Sequence, residues 1–129
     1  MDETTNAPKK ILVVEDEKDA MQIYLDILNN ANFDAKGVSN GKQALEILEK
    51  EKFALMLLDI IMPEVDGLET LQNIKKYPEK YGNMKILMLS NIGGDIAIDK
   101  AMKIGADGYM LKSETEPMDL VNIVNKYLE

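Results

Sequence analysis

Three short apolar runs, Ile11–Val14, Ala54–Leu58 and Ile86–Leu89, each stop abruptly at polar residues. None alternates, and an unbroken run of four or five apolar residues fits a strand covered on both faces better than one with a wet side. Asp34–Val38 and Gly108–Leu111 are more polar or bounded by glycine, so they read as edge or short strands. Between these segments apolar residues recur at helical spacing. Ala20, Ile23, Tyr24, Ile27 and Leu28 share one face; Ala44, Leu45 and Leu48 another; Leu68, Leu71 and Ile74 a third. Ala97, Ala101 and Ile104, with Ile98 and Met102 beside them, mark a fourth helix, and Leu120, Val121, Val124, Tyr127 and Leu128 a fifth. Five strands alternating with five helices imply right-handed crossovers and a parallel α/β sheet with helices on both faces.

A chain of 129 residues has room for one such domain. Residues 1–9 read as a disordered or extended tail and residues 10–129 as the domain. Fifteen Lys and Arg against 23 Asp and Glu leave a net charge of −8, which repels phosphate backbones and anionic lipid surfaces, so neither direct nucleic-acid binding nor membrane association is expected. Absence of cysteine excludes disulfides, thiolate metal sites and thiol nucleophiles. Absence of histidine removes the usual general base and the commonest transition-metal ligand. The polar N-terminus lacks the apolar stretch of a secretory signal, which makes the cytoplasm the expected location.

Chemistry must therefore run on carboxylates, hydroxyls, lysine and hard cations. In open parallel sheets ligands sit beyond the carboxyl ends of the strands, where strand order reverses. Those ends carry Glu15, Asp16 and Glu17, then Asp59, then Ser90 and Asn91, then Lys112. Ser39 and Asn40, after the second strand, read as ordinary helix N-cap residues. If Glu15, Asp16 and Asp59 converge, each pair of charges about 4 Å apart repels by about 4 kcal/mol at an effective dielectric near 20. A positive group is required among them. Oxygen-only ligands, few of them from protein, favour Mg²⁺ over a full Ca²⁺ cage. Lys112 supplies a second positive charge, and Asp59 becomes a nucleophile toward a phosphoryl group shared with Lys112 and the Ser90 hydroxyl.

Four segments in this order and spacing resemble the response-regulator receiver domain: Ile-Leu-Val-Val-Glu-Asp-Glu at 11–17, Leu-Leu-Asp-Ile-Ile-Met-Pro-Glu-Val-Asp-Gly at 57–67, Leu-Met-Leu-Ser-Asn at 87–91 and Gly-Ala-Asp-Gly-Tyr-Met-Leu-Lys-Ser at 105–113. The resemblance spans about Lys10 to Leu128. It implies a flavodoxin-like (βα)5 fold with strand order 2-1-3-4-5. It also implies that Asp59 accepts a phosphoryl group from a histidine kinase or histidine phosphotransfer protein, with Mg²⁺ required. Asp16 and Asp59 would bind that metal directly, the backbone carbonyl of Ile61 would be a further ligand, and Glu15 would act through water. Lys112 matches the family's amine, Ser90 its switch hydroxyl and Tyr109 the aromatic that turns inward when the hydroxyl moves. Output would pass to a downstream target protein through the face formed by the fourth helix, the fifth strand and the fifth helix, from a monomer or a phosphorylation-linked dimer. Such a domain is a phosphoacceptor rather than an enzyme with an outside substrate.

Two positions depart from the family pattern. Ser113 follows Lys112 where the family often has proline in a cis peptide, so either the bond is trans and the loop differs, or strain is kept at the site. Ile61 and Ile92 lie two residues past the acceptor and switch positions, where polar residues are frequent, and imply slow self-dephosphorylation. The chain ends near the end of the fifth helix, so a switch whose output is binding is the first expectation. The alternative is a receiver excised from a longer regulator with a DNA-binding or enzymatic domain. A phosphatase of the haloacid type would want a second aspartate where Ile61 stands, and a flavodoxin-type binder would want hydroxyls and glycines after the first strand. Asp66-Gly67 reads as a turn into the third helix.

Overall fold

The computed structural model describes residues 7–60, 66–91, 96–113 and 115–129. Five strands, β1 (Lys10–Val14), β2 (Asp34–Val38), β3 (Leu55–Asp59), β4 (Lys85–Ser90) and β5 (Gly108–Leu111), form one parallel sheet in the order β2-β1-β3-β4-β5. The principal helices are α1 (Lys18–Asn30), α2 (Gly41–Leu48), α3 (Gly67–Lys76), α4 (Ile96–Ile104) and α5 (Leu120–Leu128). This is the flavodoxin-like doubly wound arrangement with strand order 2-1-3-4-5.

The pleat sorts each apolar run into two cores. Leu12, Val14, Met56, Leu58, Ile86 and Met88 face α2, α3 and α4, packing on Ala44, Leu48, Leu71, Ile74, Ile98 and Ala101. Ile11, Val13, Leu55, Leu57, Leu87 and Leu89 face the other way, onto Leu28 of α1 and Leu120 and Val124 of α5. Both sets are essentially excluded from water, which is why these runs are continuous and not alternating.

The helix count differs from the expected five. A one-turn helix, Pro78–Tyr81, lies between α3 and β4, and a 3₁₀ turn, Pro117–Asp119, leads into α5. In both, proline opens the turn with φ already suited to it, and Gly82 at φ 99° ends the first. Ile23, expected on the inner face of α1, is instead 48% exposed, and Met102, expected beside the α4 stripe, is 40% exposed. They sit at the margins of stripes whose centres, Leu28 and Ala101, are buried. Asp59 and Ser90 are the last residues of their strands, where the sequence reading put them one step beyond.

Helix starts follow local chemistry. Asn40 caps α2 by accepting from Gln43 N–H at 2.8 Å, while Ser39 N–H donates to the Gln43 side chain at 2.8 Å, a reciprocal pair. Asp66 caps α3 by accepting from Glu69 N–H at 3.0 Å. Gly67 then seats α3 against the end of β3, donating its N–H to the Ile60 carbonyl at 2.9 Å. A β-carbon there would collide with the Asp59 carbonyl oxygen and lie 2.6 Å from the Ile60 Cα.

Candidate functional site

The parallel register aligns the strand ends. Val14 is paired with Leu58, so Glu15 and Asp59 emerge side by side from the two central strands. Asp59 is paired with Leu89 and Leu111 with Ser90, which brings Ser90 and Lys112 to the same rim. Glu15, Asp59 and Ser90 are buried, whereas Asp16 is exposed at the mouth.

Lys112 closes the cluster. Its ammonium donates to Glu15 Oε1 at 2.6 Å and to Asp59 Oδ2 at 3.0 Å, with only 13% of the side chain exposed. The other Glu15 oxygen accepts from Glu17 N–H at 3.0 Å. Glu17 thus enters through its backbone, a contribution that no side-chain pattern reveals. Oxygens of Glu15, Asp16 and Asp59 lie within 4.8 Å of one another. Three carboxylates against one lysine leave net negative charge in a small volume, and all the donors are oxygen, so the set suits a hard cation.

The site's protonation follows from burial. Burial raises the Asp59 carboxyl to about 6; Lys112 opposes that rise and the neighbouring Glu15 charge adds to it. Burial by itself would depress the Lys112 amine, but hydrogen bonds to Glu15 and Asp59 outweigh it and leave the amine above its ordinary value. Tyr24, half-buried on α1, is also raised, by burial first; Lys112 opposes and Glu15, Asp59 and Glu17 add to the rise.

Tyr109 on the edge strand is 47% exposed. The Lys112–Ser113 peptide is trans, since none of the described residues has a cis bond. Ile61 and Ile92 lie outside the described residues. Among those described, no helix is long and apolar enough to cross a membrane.

Comparison with known proteins places this geometry. The family model described as the response regulator receiver domain matches residues 11–125. The chain is 32% identical over 118 residues to the chemotaxis protein CheY of Halobacterium salinarum, covering 90% of this chain and 96% of that protein. It is also 32% identical to the regulatory protein VanRc of Enterococcus gallinarum, covering 93% of this chain but 50% of that protein. The chain thus spans about half the length of some curated relatives and nearly all of others. A CheY-like receiver structure from Methanospirillum hungatei superposes with TM-score 0.84 at 26% identity, covering 94% of each chain. At 21% identity the receiver domain of the sensor histidine kinase PA1611 from Pseudomonas aeruginosa, solved with a magnesium ion coordinated in its active-site cleft, shares the fold with TM-score 0.84, covering 95% of this chain and 98% of that one. Receiver domains are signalling units rather than metabolic enzymes, and this chain belongs to the response-regulator receiver family of two-component systems.

Proposed function

We propose that the chain is a phosphorylation-dependent switch in which Asp59 accepts a phosphoryl group from a histidine kinase or histidine phosphotransfer protein. The observation that carries this reading is the convergence of Asp59, Asp16 and Glu15 on one another with Lys112 Nζ 3.0 Å from the acceptor. An Asp59 oxygen attacks phosphorus, the P–N bond of the donor's phosphohistidine breaks, and its electron pair returns to the imidazole. Lys112 is already placed beside the acceptor oxygen, where it can neutralise charge on the transferred group.

Asp16 and Asp59, with Glu15 through water and the backbone carbonyl of Ile61, would hold Mg²⁺, which neutralises the phosphoryl oxygens when bound. The exposed Asp16 at the mouth and the all-oxygen donor set support this choice of ion, as does the magnesium in the PA1611 receiver. Ser90 then follows the phosphoryl oxygens, and Tyr109 leaves its exposed position, altering the α4–β5–α5 face for a downstream protein in the cytoplasm. The half-length match to VanRc favours a second arrangement, the same switch within a longer regulator, and the near full-length match to CheY favours a stand-alone one. Ile61 and Ile92 are proposed to slow hydrolysis of the acyl phosphate, so Ile92→Glu should shorten its lifetime.

Acetyl phosphate with Mg²⁺ tests the reading. The expected product carries one acid-stable, base-labile phosphoryl group on Asp59, absent in Asp59→Asn and after chelation. Continuous turnover of the donor without a stoichiometric product would instead mark a phosphatase.

A further inference from the structure

We infer that Ser113 is a positioning residue for phosphoryl transfer, an inference that rests on Asp59 being the acceptor. Successive residues after β5 are tied to successive residues at the end of β4. Lys112 N–H donates to the Ser90 carbonyl at 2.7 Å, and the Ser113 hydroxyl donates to the Asn91 carbonyl at 3.3 Å. The segment after β5 carries the amine that holds Asp59; the end of β4 carries the hydroxyl proposed to follow the phosphoryl group.

β5 is a four-residue edge strand paired on one side, so its own ladder extends no further than Leu111, and among the described residues the Ser113 hydroxyl adds a tie beyond it. Serine leaves both backbone torsions free, and its hydroxyl supplies by hydrogen bonding the restraint that a ring would supply by stiffness. The Lys112 ammonium depends on that restraint. It bridges two carboxylates at 2.6 and 3.0 Å, and drift of its Cα would lengthen one bond or the other. Beside it, the Lys112 N–H bond to the Ser90 carbonyl ties the backbones of the amine and the hydroxyl residue directly.

Thr and Val at position 113 share shape and β-branching but differ by the hydroxyl, so Ser113→Thr and Ser113→Val form the test pair. Phosphorylation by acetyl phosphate is followed over donor concentration at saturating Mg²⁺, beside Mg²⁺ titrations, thermal melts and hydrogen exchange of the Lys112 amide. The expected result is Ser113→Thr near wild type and Ser113→Val about three-fold slower at saturating donor, since positioning acts on the transfer step. Half-saturation, Mg²⁺ affinity and Tm should be unchanged, and the Lys112 amide should exchange faster in Ser113→Val. Equal rates for the two variants, with a phosphorylated wild type, would overturn the brace alone. Loss of rate together with Mg²⁺ affinity and Tm would overturn it in favour of general loosening. A wild type that takes no phosphoryl group on Asp59 would overturn the switch reading itself.

Discussion

The two ends of the sheet carry the same ionic motif with the signs exchanged. At the carboxyl end one cation, Lys112, bridges two anions, Glu15 and Asp59, at 2.6 and 3.0 Å. At the amino end one anion, Glu51, bridges two cations, Lys10 and Lys36, at 2.8 and 3.0 Å, and Lys10 also lies over the Phe53 ring. Distances do not separate the two clusters; solvent does. Side-chain exposure is 13% for Lys112, 1% for Glu15 and 8% for Asp59, against 33% for Lys10, 45% for Lys36 and 27% for Glu51. In the wet cluster the lysines merely hold the Glu51 carboxyl below its ordinary value. In the dry one the same contacts leave Asp59 protonating near 6, because burial there exceeds what Lys112 returns. Equal geometry thus makes a surface clamp at one end and a buried carboxyl with a raised pKa at the other.

Removing the central charge of each cluster should separate them most. Lys112→Met leaves buried carboxylates without their partner and should cost about 3 kcal/mol in urea unfolding at pH 7, less at pH 5 where Asp59 takes up a proton. A loss as small as that of an exposed pair would erase the distinction. Gly67→Ala sharpens the account of why Asp59 sits where it does: the new methyl meets the Asp59 carbonyl, and about 2 kcal/mol of stability should go.

Asp59→Asn should act in the opposite direction. The folded-state pKa of Asp59, about 6, exceeds its ordinary 3.8, so the folded form holds the proton more tightly. That contribution is complete below about pH 4 and lost as pH rises through about 6. The Asn variant lacks this loss and should be more stable at pH 7 by roughly 1–2 kcal/mol after allowance for solvent screening, with the gain vanishing toward pH 4. Glu51→Gln should change least, and added salt should remove the small difference that remains.

Much of this was legible in the residues. β2 and β5 were bounded correctly because glycine and polar residues flank them, and the continuous runs of β1, β3 and β4 announced a sheet covered on both faces. Convergence of Glu15, Asp16, Asp59 and Lys112 followed from strand ends sharing one rim. The Pro78–Tyr81 turn escaped because a single helical turn has no period to detect, although Pro78 and Gly82 were its available signals. Three site features escaped for another reason. The Glu17 amide, the Ser113 hydroxyl and the direct Glu15–Lys112 bond depend on loop backbone placement, which hydrophobic spacing does not encode.

Tyr24 offers a practical consequence. With no tryptophan in the chain, ultraviolet emission is dominated by tyrosine. One such ring lies half-buried within the electrostatic field of Lys112, Glu15 and Asp59. Cation loading or phosphorylation of the aspartate should therefore change the protein's own fluorescence, and a Tyr24→Phe control would show whether the optical signal originates there, without any attached dye.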